Sequence, residues 1–253
     1  PGVLDAIERV ESWGVDFVDP RVEEGKAKIA SIDAIALATA RAATADPLAG
    51  EHVLVTSGAT TESIDPVRTL SNRASGRTGR AVARACYVRG ADVTLVHDGD
   101  SVPYATVEPV ESAAEMLAAV RSHAGEADAL VSAAAISDYT VERREEKIRS
   151  GQESLTLELS PTPKLVDAVR EDHPDLPIVG FKVETAGDEE GLVERARAMI
   201  DRVGMAFVVG NDASVMGEER TRALIVRADE VSEYEGDKAG LGARVADELA
   251  TEL

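Results

Sequence analysis

Cysteine, aromatic residues and lysine are all scarce in this chain of 253 residues. Cys86 is the only cysteine, which excludes an internal disulfide bond and a thiolate-rich metal site. Aromatic residues make up 3% of the chain and hydrophobic residues 44%, so aliphatic side chains build the core. No apolar run reaches the roughly 18–20 residues of a membrane span, and no secretory leader is recognisable. The sequence therefore predicts a cytoplasmic protein without a membrane partner.

Acidic residues dominate the charge. The chain has 47 acidic and 27 basic residues, a net charge of −20, and its basic residues are 21 arginines and only 6 lysines. Such a surface repels nucleic acid, so no nucleic-acid partner is expected. At low salt, where the screening length grows to about 30 Å at 0.01 M, self-repulsion opposes folding. We therefore predict a halophilic protein, in which any lysine kept in a loop is a candidate functional residue.

Strand and helix patterns alternate along most of the chain. Buried strands are predicted at 52–58, 128–135 and 177–185, with helical patterns between them, and a period-two strand is predicted at 154–159. This alternation predicts an α/β, Rossmann-like fold with a mainly parallel sheet and helices on both faces.

The first 48 residues follow a different pattern. Residues 1–19 indicate a helix and then a short strand at 14–18, and Asp46-Pro47 ends a further helical pattern. We place a boundary near residue 48, with a tail and linker at 1–48 and the α/β domain at 49–253. The start at Pro1 in place of Met indicates a piece of a longer polypeptide.

Ligands of such sheets bind beyond the carboxyl ends of the strands. The rule points to four loops, which follow Thr56, Ala133, Val179 and Val209. In the first loop Gly58 permits a close approach to a ligand, and the run from Ser75 through Gly76 to Gly79 opens a helix whose free N–H groups favour phosphate. The same run also fits an ordinary helix N-terminus. The G-x-G-x-x-G fingerprint of dinucleotide sites is absent, which counts against NAD.

The loop after the central strand combines small side chains with a carboxylate. Ala133, Ala134 and Ala135 let a base or a ribose approach the backbone. Asp138 offers its carboxylate to a ribose, a base or a divalent cation, or else caps a turn.

Three further residues each allow two interpretations. Phe181, just past a strand end, could stack on a base or close the edge of the core. Asn72, in a polar loop, is a turn residue or an amide donor to a developing oxyanion. Lys147 belongs to the charged run 142–149, called here the flap, which is a solvated surface or a mobile cover over phosphates.

Taken together, these loops resemble the synthetase half of the bifunctional phosphopantothenoylcysteine decarboxylase/synthetase, in its archaeal form. The matching motifs run in order over residues 51–253: VTSGATTESIDPVRTLSNRASGRTG, SAAAISDY, EKI, LSPTPKLVDAV, VGFKVET and VVGND. Within residues 1–48, PRVEEGKAKIA resembles the tail of the preceding flavin-dependent decarboxylase domain. We expect FMN only in that missing half.

The resemblance implies a carbon–nitrogen ligase of coenzyme A synthesis. In that reaction the carboxylate of 4′-phosphopantothenate displaces pyrophosphate from CTP and forms an acyl-cytidylate. The amine of L-cysteine then attacks the acyl carbon and releases CMP. The resemblance also implies Mg²⁺ and a homodimer.

The resemblance also implies catalytic and binding roles for the residues that match the family's motifs. Asn72 matches the asparagine of the SNxxSG motif and Lys147 the first lysine of the KIKK flap, and both are expected to be catalytic. Asp138 is also the expected metal ligand. The expected nucleotide-binding residues are Gly58, Ser75, Gly76, Ala133, Ala134, Ala135, Asp138, Lys147, Phe181 and Arg202.

The chain departs from the family pattern where it meets the triphosphate. The flap is KIRS, and Ala74 replaces a serine. Lysines of the helix after the GF motif correspond to arginines here, Arg195, Arg197 and Arg202. Arginine can replace lysine as a phosphate-binding charge, though not with the same geometry.

Two other functions fit the same fold. An NAD- or flavin-linked oxidoreductase would use an acidic residue at the end of the second strand, where Asp98 lies, but the glycine fingerprint is missing. A non-catalytic nucleotide-binding domain is the other alternative. The residues alone do not distinguish CTP from ATP.

Overall fold

The structure is a computed structural model that describes residues 2–151, 153–184, 189–212 and 220–253. The chain divides into two compact units, the first ending at Ala45 and the second spanning Asp46–Leu253. The helices are α1 (Val3–Glu11), α2 (Ile32–Ala43), α3 (Arg77–Val88), α4 (Ala113–Ala124), α5 (Leu165–Asp172), α6 (Glu189–Val203) and α7 (Lys238–Leu249). The strands are β1 (Arg21–Glu23), β2 (Lys26–Lys28), β3 (His52–Thr56), β4 (Thr61–Ser63), β5 (Thr69–Ser71), β6 (Asp92–His97), β7 (Thr106–Pro109), β8 (Ala129–Ser132), β9 (Tyr139–Val141), β10 (Leu159–Pro161), β11 (Ile178–Glu184), β12 (Phe207–Asp212), β13 (Arg220–Val226) and β14 (Val231–Asp237).

The first unit contains α1, a β1–β2 hairpin and α2. The hairpin turns through Glu24 and Gly25, whose φ angles of 51° and 73° suit a two-residue turn. Helix α2 starts after Ser31, whose Oγ accepts a hydrogen bond from the N–H of Ala34 at 3.1 Å. The strand predicted at 14–18 is wrong. That segment has no regular structure, because it has no hydrogen-bonded partner strand among the described residues.

An eight-stranded sheet forms the centre of the second unit, in the order β14-β13-β12-β11-β8-β3-β6-β7. The strands from β12 to β7 are parallel, and β13 and β14 add an antiparallel edge. The predicted mainly parallel α/β architecture is confirmed. β14 was not predicted, because three of its seven residues are acidic and its half-buried face is weakly apolar.

Helices cover both faces of this sheet. Val53 and Val55 of β3 pack in one core cluster with Cys86 of α3 and Leu241 of α7. Leu54, between the two valines, packs in the other cluster with residues of α4, α5 and α6. Successive side chains of a strand point to opposite faces, so the predicted two-sided packing is confirmed. In the part of the chain that the structure describes, no helix has the length and apolar character needed to span a membrane.

Two short antiparallel ribbons lie outside the main sheet, β4–β5 and β9–β10. The strand predicted at 154–159 forms only at Leu159–Pro161, and residues 154–158 have no regular structure. The reason is that β9 offers only three residues for pairing. At the end of β11, Thr185 of the predicted strand lies outside the described residues.

Cys86 provides a test of the core and of the salt requirement. Burial raises the pKa of its thiol to about 12, although Arg89 partly opposes the rise. Because the thiolate is the reactive species, Ellman's reagent should label Cys86 slowly in molar KCl. In dilute buffer, where the net charge of −20 opposes folding, labelling should approach the rate of the urea-unfolded chain. Equal protection at both salt concentrations would contradict the predicted halophilic character.

Candidate functional site

Strands β3 and β8 end level with each other beside β11, which continues to Glu184. Thr56 of β3 pairs with Ser132 of β8, and Ser132 pairs with Gly180 of β11. The residues that follow this pairing are Ala133, just past β8, and Phe181, within β11, so these two predicted site residues lie at the same level. The edge formed by residues 57–60, 133–138 and 181 is called the carboxyl rim below.

Hydrogen bonds join the loop after β3 to the loop after β8. The N–H of Ala135 donates to the carbonyl of Gly58 at 2.8 Å, and the carbonyl of Ala135 accepts from the N–H of Thr60 at 3.2 Å. The N–H of Ser137 donates to Oγ1 of Thr60 at 2.8 Å. Two predicted nucleotide-binding segments, at Gly58 and at Ala133–Ala135, therefore form one continuous backbone surface.

Asn72 lies against this surface. It follows β5, and its Nδ2 donates to the carbonyl of Ala135 at 3.0 Å while its side chain stays exposed. The nitrogen of an amide carries two hydrogens, so the bond to Ala135 commits one of them and orients the group. The structure thus brings the predicted oxyanion donor to the predicted nucleotide loop.

Helix α3 begins against the loop after β3 at a separation that only glycine permits. Gly76 has a φ of 65°, and a Cβ there would lie 2.8 Å from the backbone nitrogen of Gly58. A Cβ on Gly79 would lie 2.7 Å from Oγ of Ser57, which itself donates to the carbonyl of Gly76 at 2.8 Å. Predicted residues Gly58, Ser75 and Gly76 therefore surround a helix N-terminus, whose N–H groups and dipole favour an anion.

Arg80 adds positive charge to the start of α3 and was not predicted. Its Nη2 donates to the carbonyl of Ser75 at 2.8 Å, and its backbone N–H donates to the carbonyl of Gly76 at 3.0 Å. The pKa of His97, at the end of β6, is lowered mainly by burial and secondly by the nearby charge of Arg80. The imidazole is therefore neutral at pH 7. The sequence signal for Arg80 was its position four residues after Gly76, on the same helix face.

Asp138 forms an ion pair with Lys164, another residue that was not predicted. The N–H of Thr162 donates to the carbonyl of Asp138 at 3.0 Å, and Oγ1 of Thr162 donates to the carbonyl of Ser137 at 2.5 Å. These bonds fix the start of α5 beside the loop after β8. Lys164 is one of only six lysines and lies in a loop, so the scarcity of lysine was a signal for it.

No ready-made metal cage surrounds Asp138. Among the described residues, no group of three or more His, Cys, Asp or Glu side chains could hold a metal ion. The side chain of Asp138 is 69% exposed. Mg²⁺ usually takes one or two carboxylates and completes its shell with water and phosphate oxygens. A metal role for Asp138 therefore stays a prediction that depends on a bound nucleotide.

Lys147 lies in a flap that is anchored by its backbone. Ile148 is buried, and its N–H and carbonyl bond to Asp65 and Arg68 in the turn between β4 and β5. Lys147 and Arg149, on either side of Ile148, are exposed. The cations of the flap thus extend from a fixed segment.

Phe181 is half-buried and packs against the core cluster that includes α3 and α7. Its ring therefore closes the core and also stays partly accessible at the carboxyl rim. In β12, one strand farther along the sheet, Oδ1 of Asn211 is buried and has no hydrogen-bond partner in the described ranges. Asn211 lies near the end of β12, as predicted, whereas Phe181 lies within β11 and not just past a strand end, because β11 continues to Glu184.

Arg202 does not lie at the carboxyl rim. It belongs to the last turn of α6, and its guanidinium pairs with Asp167 of α5. Helix α6 connects two parallel strands, so it runs back to the edge where the strands begin. There the N–H of Ala206 donates to the carbonyl of Ile178, the first residue of β11. The predicted nucleotide contact of Arg202 is therefore corrected, because the residue lies at the opposite edge of the sheet.

The fold and the carboxyl rim define an α/β domain of the Rossmann-like class, with its polar loops gathered at one edge of a parallel sheet. Residues 48–253 match the model of the DNA/pantothenate metabolism flavoprotein C-terminal domain. The chain belongs to this family. It is 44% identical over 235 residues to the coenzyme A biosynthesis bifunctional protein CoaBC of Thermococcus kodakarensis, a match that covers 90% of this chain and 58% of the relative.

Other relatives and solved structures agree with this assignment. The CoaBC protein of Methanocaldococcus jannaschii is 33% identical over 238 residues, which cover 92% of this chain and 59% of that protein. The chain thus spans somewhat over half the length of these relatives. The crystal structure of the C-terminal domain of a CoaBC protein matches with a TM-score of 0.69 and 27% identity, covering 82% of this chain and 97% of that one. The flavoprotein of Streptococcus pneumoniae, at 22% identity and a TM-score of 0.74, covers 81% of this chain and all of that chain and shares the fold.

The close approach at Gly76 gives a stability test. Gly76→Ala combines an unfavourable φ with a contact of 2.8 Å to the backbone of Gly58, and we expect a loss of about 1–3 kcal/mol in the free energy of unfolding. Gly50→Ala is the matched control, because Gly50 has a φ of 90° with no atom within 4 Å of its Cβ position. Urea denaturation in molar KCl measures both. Equal losses would show that the approach of α3 to the loop adds nothing beyond backbone strain.

Proposed function

We propose that this chain is a CTP-dependent acid–amine ligase of coenzyme A synthesis, which joins 4′-phosphopantothenate to L-cysteine. The observation that carries the proposal is the carboxyl rim itself. There the amide of Asn72 bonds to Ala135, the loop after β8 bonds to Gly58, and the N-terminus of α3 opens beside both. Membership of the family over residues 48–253 supports it.

The first step transfers a cytidylyl group. An oxygen of the phosphopantothenate carboxylate attacks the α-phosphorus of CTP, the bond from that phosphorus to the bridging oxygen breaks, and pyrophosphate leaves. The triphosphate needs N–H donors and cations. The first turn of α3, Arg80 and the flap residue Lys147 supply them in this proposal, which agrees with the bonds of Arg80 at the helix start.

The second step forms the amide. The amine nitrogen of cysteine attacks the acyl carbon, the carbonyl oxygen becomes an oxyanion, and the carbon–oxygen bond to CMP then breaks while the nitrogen loses a proton. Asn72 is assigned to the oxyanion, because its amide is exposed and already oriented by Ala135. A donor fixed before the charge develops stabilises a transition state without reorganisation.

Base, ribose and metal contacts complete the assignment. Phe181 is assigned to the cytosine, and the backbone of Ala133–Ala135 to the base or ribose. Asp138 is assigned to the ribose or Mg²⁺, because its carboxylate is exposed and its partner Lys164 can transfer to a phosphate. Bound Mg²⁺ would add positive charge to the triphosphate.

The proposal extends to the assembly. The bifunctional relatives are longer than this chain, which spans 58% of the Thermococcus protein. We assign residues 1–48 to the end of a decarboxylase domain whose FMN belongs to the missing part. We also propose a homodimer through the sheet region, with no nucleic acid or membrane as partner.

Pyrophosphate release decides the reaction class. In molar KCl with Mg²⁺, we expect release only when a nucleotide and 4′-phosphopantothenate are both present, and CMP release only after L-cysteine is added. Pantothenate without its phosphate is the control. ATP as the preferred donor would correct the base assignment alone. Stabilisation by NAD in a thermal-shift assay, with none by CTP or ATP, would instead support an oxidoreductase.

Asn72→Asp separates the two steps. The change keeps the size of the side chain but removes both N–H donors, so amide formation should slow by about 10²–10³-fold, whereas the first burst of pyrophosphate persists. Rapid quench with labelled CTP measures both steps. Arg73→Ala, at the neighbouring exposed position, is the control for local disturbance. An equal loss in both steps would mean that Asn72 only shapes the loop.

A further inference from the structure

Asp65 is a buried carboxylate in the turn between β4 and β5. Its side chain has no exposed surface. Oδ1 accepts hydrogen bonds from the N–H groups of Val67 and Arg68, both at 2.8 Å. Oδ2 accepts a hydrogen bond from Nη1 of Arg68 at 2.5 Å. Oδ2 also accepts the N–H of Ile148 at 3.0 Å, from a residue 83 positions away. The carboxylate therefore joins its own turn to the flap.

Arg68 closes the same connection from the other side. Its Nη1 donates to the carbonyl of Ile148 at 3.1 Å while it also bonds Asp65. Ile148 is thus held at both of its backbone polar groups, and the residue is 7% exposed. The N–H of Arg144 adds a bond to the carbonyl of Ile64 at 2.9 Å. The set of Asp65, Arg68 and Ile148 is called the flap clamp below.

The carboxylate of Asp65 stays ionised at neutral pH. Burial by itself raises the pKa of Asp65, but the hydrogen bonds from Ile148, Val67 and Arg68 outweigh burial and lower that pKa to about 2. Only Asp65 is buried, since the side chain of Arg68 is 39% exposed, so loss of Arg68 would leave a buried carboxylate with fewer donors.

A second buried carboxylate anchors the other end of the flap region. Oε2 of Glu62 in β4 accepts a hydrogen bond from Oγ1 of Thr140 in β9 at 2.6 Å. Its Oε1 accepts a hydrogen bond from the N–H of Ala113, at the start of α4, at 2.9 Å. Glu62 is 5% exposed. The hairpin that carries Glu62 and Asp65 continues from β5 directly into Asn72, so one hydrogen-bonded hairpin links the flap to the carboxyl rim.

We propose that Asp65 and Arg68 are positioning residues of the ligase, which hold the flap so that Lys147 and Arg149 meet the triphosphate. Neither positioning residue touches the substrate. Their effect passes through the backbone of Ile148, which fixes the two exposed cations beside it. The assignment of the cations rests on the proposed function, whereas the clamp itself does not.

Hydrogen exchange tests the clamp without any substrate. In Asp65→Asn the amide nitrogen faces the N–H of Ile148 or of its own turn, so a peptide covering 142–149 should exchange about ten-fold faster or more than in the parent chain. Glu146→Gln is the control, because it removes a carboxylate from the same flap at an exposed position. Unchanged exchange in a folded Asp65→Asn chain overturns the clamp.

A double-mutant cycle tests the positioning role. Asp65→Asn should raise KM for the nucleotide about ten-fold or more, since a small displacement of a binding group is costly. In a chain that already carries Lys147→Ala and Arg149→Ala, the same change should have little further effect on KM. A full, multiplicative effect in that background would show that Asp65 acts on folding or elsewhere, and it overturns the positioning role.

A conservative second variant is available if Asp65→Asn does not fold. Arg68→Lys keeps the charge near Asp65 but loses the guanidinium geometry that reaches both Asp65 and Ile148. If circular dichroism shows that Asp65→Asn is unfolded, Arg68→Lys takes its place in both measurements with the same expected directions. If the parent chain releases no pyrophosphate with any nucleotide, the proposed function fails, and the exchange measurement still decides the clamp.

Discussion

The register of β3, β8 and β11 is the constraint on which the candidate site depends. Parallel pairing aligns Thr56, Ser132 and Gly180, and beyond that line the chain keeps pairing through Gly58 and Ala135. Asn72 can reach Ala135 only because that carbonyl is held at the rim. Small residues are required here, since two segments and a helix terminus meet within a few ångströms. The backbone thus creates the site before any charged side chain contributes to it.

Basic residues lie near the carboxyl rim although the chain as a whole is strongly acidic. A chain with a net charge of −20 still places an arginine and a lysine beside the carboxyl rim, Arg80 at the start of α3 and Lys164 paired with Asp138. A negatively charged substrate would therefore meet locally favourable charge on an otherwise repelling surface. In the proposed ligase, this contrast directs the triphosphate to the rim.

Sequence reasoning predicted the architecture because strand and helix periodicity is a local property, which each buried run such as 52–58 records for itself. The family resemblance assigned Asn72 and Ala135 to one site, and a hydrogen bond joins the two residues in the structure. Arg202 was misplaced because a helix pattern does not reveal which end lies at the rim. Asp65 was not singled out because its importance arises from Ile148, 83 residues later, and no local pattern records such a contact.

Burial separates the charges that hold the site from those that can bind a ligand. Asp138 and Lys164 have 69% and 56% of their side-chain surface exposed, and an exposed pair contributes only about 0–1 kcal/mol. Either partner can therefore turn to a phosphate or a cation at little cost, while the backbone bond to Asp138 keeps the pair in place. Asp65 has no exposed surface and several donors, so exchanging its partners would leave a buried charge uncompensated. The exposed pair of Asp138 and Lys164 is therefore free to bind a ligand, whereas the buried Asp65 holds the structure in place. The difference in solvent exposure accounts for the difference in role.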